Sequence, residues 1–229
     1  MAGKLYVVGT PIGNLEDITV RALRVLKEVD LVAAEDTRHT GLLLHHFGIS
    51  VPQQSYHKFN ESQRQAEFLQ RLQDGGKIAL VSDAGMPGVS DPGERLIRSC
   101  VRAGVDIEVV PGPSAVLHAL VASGMKITPF YFGGFLPVKG GARRTELAAA
   151  GARDSTSVYF ESPYRLLRTL EDCVLVLPER TVCVARELTK KFEEIRRGPA
   201  SELLAHFLKG KVRGEITFVV AGSAGEGGH

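Results

Sequence analysis

Apolar residues follow two alternating patterns along the chain. Short runs of β-branched and other apolar residues predict strands, and apolar residues that return every three or four positions predict amphipathic helices. Strands that are apolar throughout and alternate with helices predict an α/β fold, in which a mostly parallel or mixed sheet is covered by helices. The predicted strands are Leu5–Val8, Leu31–Ala34, Ile78–Val81, Ile107–Val110, Tyr131–Phe135, Ser157–Phe160, Thr181–Ala185 and Ile216–Val220. The predicted helices are Val20–Val29, Ala66–Leu72, Glu94–Ala103, Ser114–Ser123, Arg143–Ala150, Leu166–Val176 and Ala200–Leu208.

The series of elements divides at the segment Gly124–Tyr131, which contains Gly, Thr and Pro and has the composition of a linker. We therefore expect an N-terminal α/β domain over residues 1–123 and a C-terminal α/β domain over residues 124–222, with a ligand cleft between the domains. Residues 223–229 are Gly-rich and are predicted to form a disordered tail.

Loops rich in Gly and Pro follow three predicted strands of the first domain, at Gly9–Leu15, Ser82–Gly93 and Pro111–Ala115. Ligands of an open α/β sheet bind at the carboxyl ends of its strands, and glycine lets backbone approach a ligand closely. One such loop is more often a tight turn, but three together favour a ligand site. Asp83 stands at a strand tip, where a carboxylate can bind ribose hydroxyls or an ammonium group. Asp91 is instead expected to cap a helix.

Composition narrows the classes of protein. The net charge is only +2, and the excess of basic residues lies in the second half, which is compatible with a phosphate-bearing partner. The three cysteines are scattered without a Cys-x-x-Cys pair, so neither a disulfide scaffold nor a metal site is expected. No apolar stretch approaches the ~20 residues of a membrane span, and no signal-peptide pattern occurs. We expect a cytoplasmic protein with no membrane partner.

Several longer motifs resemble one known family. Together they are similar to the ribosomal RNA small subunit methyltransferase I family, within the tetrapyrrole methylase superfamily, and the resemblance runs from Leu5 to Val220. The motifs are Gly9–Ile18 (GTPIGNLEDI), Ala34–Thr40 (AEDTRHT), Ser82–Pro87 (SDAGMP), Ser90–Gly93 (SDPG), Pro111–Ala115 (PGPSA), Phe132–Pro137 (FGGFLP), Glu161–Arg165 (ESPYR) and Ala185–Lys190 (ARELTK).

This resemblance implies a two-domain tetrapyrrole-methylase-like fold, a homodimer, and S-adenosylmethionine bound in the cleft between the domains. It implies methylation of the ribose 2′-hydroxyl of a cytidine in the decoding region of 16S rRNA, in the small ribosomal subunit. The residues that it suggests for cofactor binding are Pro11, Asp83, Ala84, Gly85, Val89, Ser90, Ser114, Ala115, Leu136 and Ala185.

A ribose hydroxyl is a poor nucleophile, so a base that takes its proton, or a cation that stabilises the alkoxide, would assist methyl transfer. The candidates for this role are Glu35, His57 and Lys190, and the sequence does not choose between them. Each candidate has an alternative structural role. Glu35 and the neighbouring Asp36 could cap a helix, His57 could be a surface histidine, and Lys190 could be an ion-pair partner. Glu161 and Glu187 are further candidates.

Phosphate contacts would come from arginine and lysine, and exposed aromatic rings would stack a splayed base. The alternative for these basic residues is a solvated surface. The residues expected to bind RNA are Arg38, Lys139, Arg143, Arg144 and Arg165, with Phe59, Tyr131 and Tyr164 as stacking candidates.

Two other functions remain open at this point. One is a methylase of the same fold that acts on a tetrapyrrole or a protein side chain. The other is a nucleotide-binding module without catalytic activity. Calorimetry with S-adenosylmethionine and with nucleotides would separate the second from the methyltransferases.

Overall fold

The computed structural model describes residues 3–223. The chain forms two compact units, of which the first ends at Ser114 and the second begins at Ala115. Within the described residues, every helix is too short or too polar to cross a bilayer.

The first unit is a parallel sheet covered by helices on both faces. Its strand order is β3-β2-β4-β1-β5, and each neighbouring pair is parallel. Apolar residues of α1 and α2 pack on one face, and those of α3 and α4 pack on the other. The elements are β1 (Lys4–Val8), α1 (Val20–Glu28), β2 (Leu31–Ala34), α2 (Thr37–His46), β3 (Gln53–Ser55), α3 (Glu61–Gln73), β4 (Lys77–Val81), α4 (Glu94–Arg102) and β5 (Asp106–Val110).

The second unit is a mixed sheet in the order β6-β7-β10-β8-β9. Strands β6 and β7 are parallel, and the other neighbours are antiparallel. Helices α6, α7 and α8 form one apolar core with the sheet. The elements are α5 (Ala115–Ser123), β6 (Phe130–Phe135), α6 (Gly140–Ala152), β7 (Thr156–Glu161), α7 (Leu166–Val176), β8 (Thr181–Arg186), β9 (Glu194–Pro199), α8 (Ala200–Phe207) and β10 (Ile216–Val220).

Every strand predicted from apolar runs is confirmed, with ends within one residue. Two strands and one helix were missed, for reasons visible in their composition. β3 contains only Gln and Ser, β9 is mostly charged or turn-forming, and α2 carries a central Gly and several His that obscure the helical period. These elements form because neighbouring strands and caps complete them, which a local pattern does not reveal.

Helix α4 begins at Glu94, as predicted, but the residue predicted to cap it was wrong. Asp91 does not cap this helix: the N-cap residue is Gly93, with φ of 135°, and the first helical residue is Glu94. The backbone N–H of Gly93 donates to Glu61 Oε1 at 3.2 Å, so a carboxylate from α3 accepts a hydrogen bond at this terminus. Because Glu61 is distant in sequence, the local Asp-Pro-Gly pattern was misleading.

The unit boundary differs from the domain boundary predicted at 123/124. Helix α5 packs on β7, β8, β9 and β10, so it belongs to the second sheet. Its apolar residues alone could not indicate which sheet would bury them. Of the predicted disordered tail, Ser223 is held by a bond from its N–H to the Arg153 carbonyl at 2.8 Å, and residues 224–229 lie outside the described residues.

Candidate active site

The three Gly- and Pro-rich loops of the first unit meet at the carboxyl edge of its sheet. The Gly9 N–H donates to the Val110 carbonyl at 3.0 Å, and Thr10 and Gly85 exchange two backbone bonds at 3.0 and 3.1 Å. A Cβ at Gly112 would lie 2.8 Å from the Gly9 Cα, closer than real side chains come. Glycine at both positions therefore lets the loops after β1 and β5 touch through their backbones.

The cofactor-binding residues predicted in the first unit all lie in these contacting loops. Pro11 and Gly85 are buried, with Gly85 at φ of 82°. Val89 is 44% exposed, and Ser90 is exposed with φ of 68°, a conformation uncommon for a residue with a side chain. Ala84 is half-buried. The surface at this edge thus combines tightly packed backbone with a few exposed small side chains.

Strands β2 and β4 are neighbours whose connections leave in opposite directions, toward β3 and toward β5. Such a divergence is where open α/β sheets form a ligand crevice. Glu35 directly follows β2, and Asp83 is the second residue after β4. The Asp83 N–H donates to Glu35 Oε2 at 3.3 Å, and the Asp36 N–H donates to Asp83 Oδ1 at 3.0 Å. Two carboxylates are therefore held side by side at the crevice.

The environment of Glu35 suits proton transfer. Burial raises the pKa of this carboxyl, the negative charges of Asp83 and Asp36 raise it further, and the Asp83 N–H and His57 oppose the shift. A carboxylate with a raised pKa accepts a proton more readily than an exposed one. His57 is half-buried and close enough to influence Glu35, so the structure brings these two predicted catalytic residues together.

Asp36 has the capping role that the sequence left open. Its Oδ1 accepts the Arg38 N–H at 2.8 Å at the start of α2, and its Oδ2 lies 2.7 Å from the Arg38 guanidinium. The hydrogen bonds from Arg38 hold the pKa of Asp36 well below its usual range. The Arg38 side chain is nevertheless 88% exposed.

Lys190 lies in the second unit, in the loop after β8. Its Nζ is 2.9 Å from Glu187 Oε1 and 2.7 Å from Glu215 Oε2. This is the ion-pair role that the sequence left open for Lys190. Glu187 and Thr189 have φ of 52° and 65°, so the loop turns sharply through left-handed conformations. Glu187, a further candidate base, is engaged in the same pair.

The remaining predicted cofactor residues belong to the second unit or to the boundary between the units. Leu136 and Ala185 are buried at 1% and 0% exposure, and Ala115 opens α5. Ser114 closes the first unit. Leu136 follows β6, and its N–H donates to the Phe160 carbonyl at 3.2 Å.

Two arginines predicted to bind RNA are mostly buried instead. Arg143 is 5% exposed, and its Nη2 lies 2.6 Å from Asp172 Oδ2. Arg165 has a side chain 19% exposed, and its Nη2 lies 2.6 Å from Glu161 Oε1. Arg143 is therefore no longer assigned to RNA, because its charge is compensated inside the unit.

The other predicted RNA contacts are accessible. Lys139 is exposed, and Arg144 keeps a side chain 44% exposed while its Nη1 lies 3.1 Å from Asp172. Of the stacking candidates, Phe59 and Tyr164 are 94% and 88% exposed. Tyr131 is covered on one side by Arg153, whose guanidinium lies 4.0 Å from the ring centre.

Comparison with known proteins places the chain in a family. The model for tetrapyrrole (corrin/porphyrin) methylases matches residues 4–204. A protein of Thermotoga maritima named ribosomal RNA small subunit methyltransferase I is 50% identical over 96% of this chain and 99% of its own length. A protein of the same name from Escherichia coli O157:H7 is 51% identical over 96% of this chain and 78% of its own length. This chain belongs to the ribosomal RNA small subunit methyltransferase I family.

Solved structures confirm the fold class predicted for this member of the methyltransferase I family. Uroporphyrin-III-C-methyltransferase from Thermus thermophilus superposes with a TM-score of 0.67 at 23% identity, over 96% of this chain and 94% of the other. The methyltransferase CobJ superposes with a TM-score of 0.71 at 19% identity, over 97% and 95%. At these identities the likeness concerns the fold alone, which is the tetrapyrrole-methylase-like α/β fold.

The cofactor of this methyltransferase I family member is S-adenosylmethionine, as predicted. The carboxyl edge of the first sheet fits this group. The cofactor carries a sulfonium, an ammonium and ribose hydroxyls, and the edge offers the carboxylates of Glu35 and Asp83 beside closely packed backbone. Among residues 3–223, no cluster of three or more His, Cys, Asp or Glu side chains could hold a metal ion.

Sequence reasoning missed residues that support the site from other elements. Glu61 accepts the Gly93 N–H and, at 3.3 Å, the Tyr56 hydroxyl, so it links the loop that carries His57 to the end of the Ser82–Gly93 loop. Asp172 pairs with two arginines of α6. No local signal marks either acid, because each partner is contributed by a distant segment.

Proposed function

We propose that this methyltransferase acts on ribosomal RNA of the small subunit and transfers a methyl group to the ribose 2′-hydroxyl of a cytidine in the decoding region. The observation that carries the proposal is the pair of carboxylates, Glu35 and Asp83, where β2 and β4 diverge. A hydroxyl must lose its proton to become methylated, so an acceptor with a raised pKa supports this chemistry. The names of the relatives support an rRNA substrate.

S-adenosylmethionine supplies an electrophilic methyl group when it is bound. We assign its binding to the predicted residues of the three contacting loops of the first unit. The roles of Leu136 and Ala185 stay predictions from the sequence. Asp83 can accept hydrogen bonds from ribose hydroxyls or from an ammonium group. The contacting backbones of Gly9 and Gly112 fix the loops, so binding requires little rearrangement of the chain.

Glu35 takes the proton of the attacking hydroxyl in this proposal. The Asp83 N–H holds Glu35 Oε2, which orients the carboxyl group and leaves Oε1 to meet the substrate. His57 is the second candidate, because it lies close enough to influence Glu35 and an imidazole nitrogen can accept a proton. We do not assign the removal of the hydroxyl proton to Lys190, because its ammonium group is held by two carboxylates.

RNA contacts are proposed for the accessible basic side chains, namely Arg38, Lys139 and Arg144. Phe59, which lies two residues from His57 and is 94% exposed, is the proposed stacking surface for a base near the target ribose. A homodimer and a cytoplasmic location belong to the same proposal and follow from the family and its substrate.

The experiment that tests the proposal is a tritiated-methyl assay on three substrates: assembled small ribosomal subunits, naked 16S rRNA and a tetrapyrrole precursor. We expect label in one of the two RNA substrates and none in the tetrapyrrole. The methylated RNA should resist alkaline cleavage at a single linkage, since a 2′-O-methyl group cannot attack the adjacent phosphate. Nuclease digestion and mass spectrometry should place the methyl group on the sugar of a cytidine.

Other outcomes contradict the proposal in separate ways. A methyl group on the base fragment rejects the ribose assignment while leaving an rRNA methyltransferase. Label in the tetrapyrrole alone favours the other methylase of the same fold. A variant carrying Glu35→Gln serves as the matched control, because it keeps the size of the side chain and removes the proton acceptor.

A further inference from the structure

Histidine 57 lies beside Glu35 at one edge of the first sheet. The Tyr56 N–H donates to the Ala34 carbonyl at 2.7 Å, at the point where β3 and β2 end. His57 and Glu35 each follow one partner of this bond, so the two residues leave the sheet from adjacent strands. Asp83 holds Glu35 from the next strand, β4. His57 therefore belongs to the same crevice as the two carboxylates.

The turn that carries His57 is fixed by its own hydrogen bonds. The His57 N–H donates to Asn60 Oδ1 at 2.8 Å, and Asn60 Nδ2 donates to the Ser55 carbonyl at 3.1 Å. The His57 carbonyl accepts the Glu61 N–H at 2.9 Å, at the first residue of α3. Both backbone groups of His57 are engaged, so its imidazole is attached to a restrained segment.

One imidazole nitrogen of His57 has a partner and the other is available. The Phe59 N–H donates to His57 Nδ1 at 3.3 Å, so Nδ1 is an acceptor. A neutral imidazole carries hydrogen on one nitrogen only, and the bond made by the other nitrogen decides which one it is. The hydrogen of neutral His57 is therefore on Nε2. In the part of the chain that the structure describes, no protein group is hydrogen-bonded to this Nε2, and the residue is half-buried.

We propose that His57 takes part in methyl transfer as a hydrogen-bond donor, through Nε2–H, and not as the base. The inference rests on the proposed function, in which Glu35 takes the proton of the ribose hydroxyl. As this proton moves to Glu35, the oxygen forms a bond to the methyl carbon, and the bond from that carbon to sulfur breaks to release S-adenosylhomocysteine. Negative charge develops on the oxygen during this step, and a donor that is already fixed in place stabilises it.

The hydrogen-bonding capacities of Glu35 and His57 are complementary. Glu35 receives the Asp83 N–H on Oε2 and keeps Oε1 as an acceptor. The acceptor nitrogen of His57 is already used by the Phe59 N–H within its own turn, and the nitrogen that remains carries hydrogen. One hydroxyl oxygen at the crevice can therefore give its proton to Glu35 and accept a hydrogen bond from His57.

The first test compares His57→Gln with His57→Asn. Both side chains end in an amide, but the glutamine nitrogen reaches the position of imidazole Nε2, whereas the asparagine nitrogen reaches only that of Nδ1. We expect single-turnover methylation of 16S rRNA to fall less than about tenfold in His57→Gln and about a hundredfold in His57→Asn, which is the usual effect of losing one donor to a developing charge. His45→Gln, which replaces an exposed histidine of α2, should be as active as the wild type.

The second test measures the position of the hydrogen and requires no substrate. Nitrogen-15 NMR of the wild-type protein, at a pH where the imidazoles are neutral, should show hydrogen on Nε2 of His57 and none on Nδ1. The sequence has seven histidines, and the signal of His57 is the one that is absent from His57→Gln. Hydrogen on Nδ1 overturns the inference whatever the activities of the variants.

The methylation assay separates this inference from the proposed function. If the wild type methylates 16S rRNA and His57→Gln is as impaired as His57→Asn, the donor role is rejected. Full activity in His57→Asn rejects it as well, because no donor would then be needed at Nε2. A wild-type protein that leaves 16S rRNA unlabelled rejects the proposed function, and the role of His57 is rejected with it.

Discussion

Glu35 and Glu161 both lie at the carboxyl ends of buried strands, yet their surroundings differ. The oxygens of Glu161 receive three short contacts, from Ser162, Thr169 and Arg165. Glu35 receives one longer hydrogen bond, from the Asp83 N–H at 3.3 Å, and burial raises its pKa. At the scale of single residues, the number of donors around each carboxylate therefore separates an anchor from a group available for chemistry.

Replacing Glu35 by Gln should reduce methyl transfer about a hundredfold or more, which is the usual contribution of a general base. Wild-type activity should fall as the pH is lowered through the raised pKa of Glu35, because the protonated carboxyl group cannot accept the proton of the attacking hydroxyl. The residual activity of Glu35→Gln should lack this acid limb. Single-turnover rates across pH, with S-adenosylhomocysteine affinity measured in parallel, check the prediction; an acid limb that persists in the variant assigns the base elsewhere.

The same variant has a stability signature. Burial raises the pKa of Glu35 above its ordinary value of 4.5, so the folded state binds this proton more tightly than the unfolded state does. The stabilisation that follows is complete below the unfolded pKa and is lost as pH rises through the folded pKa. Melting temperatures of wild type and Glu35→Gln should consequently diverge in favour of the variant as pH rises through that window. If the melting temperatures of the two proteins change with pH in parallel, this prediction is contradicted.

Elements in this molecule depend on contacts that join distant segments. Helix α6 is attached to α7 through Arg143 and Asp172, whose side chains are 6% and 11% exposed. In the first unit, the loops after β1 and β5 touch at Gly9 and Gly112. Each of these contacts joins segments that are separated in sequence, so breaking one should affect the packing of whole elements.

Arg143→Ala should lower the free energy of unfolding by about 3–5 kcal/mol, because it leaves the buried Asp172 without its main partner. Arg144→Ala is the matched control: its side chain is 44% exposed, so an effect of about 1 kcal/mol or less is expected. Urea unfolding of the two variants measures the difference. Equal destabilisation would mean that Asp172 is compensated mainly by the exposed arginine.

Gly112→Ala should weaken S-adenosylhomocysteine binding and lower stability, since the added Cβ would lie 2.8 Å from the Gly9 Cα and force two loops apart. Gly41→Ala is the comparison within the same unit. Gly41 lies inside α2, where alanine is favoured over glycine, and its added Cβ would meet only Gln53 Nε2, at 3.6 Å. The stability of this variant should therefore rise by roughly 0.5–1 kcal/mol. Calorimetry and thermal melts test both, and unchanged cofactor affinity in Gly112→Ala would separate these loops from the binding site.

Charge is the property that acts at the scale of the whole molecule. With a net charge of +2, no strong overall field attracts RNA, so affinity must come from particular accessible side chains. Lys139 and Arg144 are accessible members of the basic segment at the start of α6. The buried Arg143 contributes to stability and not to this surface.

Replacing Lys139 and Arg144 together by Ala should reduce the slope of log affinity against log salt by about two, one for each phosphate that the protein no longer neutralises. The affinity for S-adenosylhomocysteine should stay constant. Filter binding of 16S rRNA across a salt series provides the measurement. A slope identical to that of the wild type would mean that this segment is a solvated surface.

The sequence by itself determined the α/β class, the positions of the apolar strands and the loops that form the first unit's candidate site. Apolar runs such as Leu31–Ala34 are fully buried, and burial of one continuous run needs little information from elsewhere in the chain. The motifs also sufficed to place the chain in its family. Local patterns were reliable wherever burial or a glycine backbone was the deciding property.

Only the tertiary structure decided which charged side chains are exposed and therefore available to bind a partner. Arg143 and Arg144 are adjacent and chemically identical, but the orientation of α6 against α7 buries one and exposes the other. The apolar sequence of helix α5 would suit either sheet. The structure assigns α5 to the second unit because it packs on β7, β8, β9 and β10. Electrostatic roles and unit membership depend on partners that are remote in sequence, because desolvation and pairing arise only when distant segments come together.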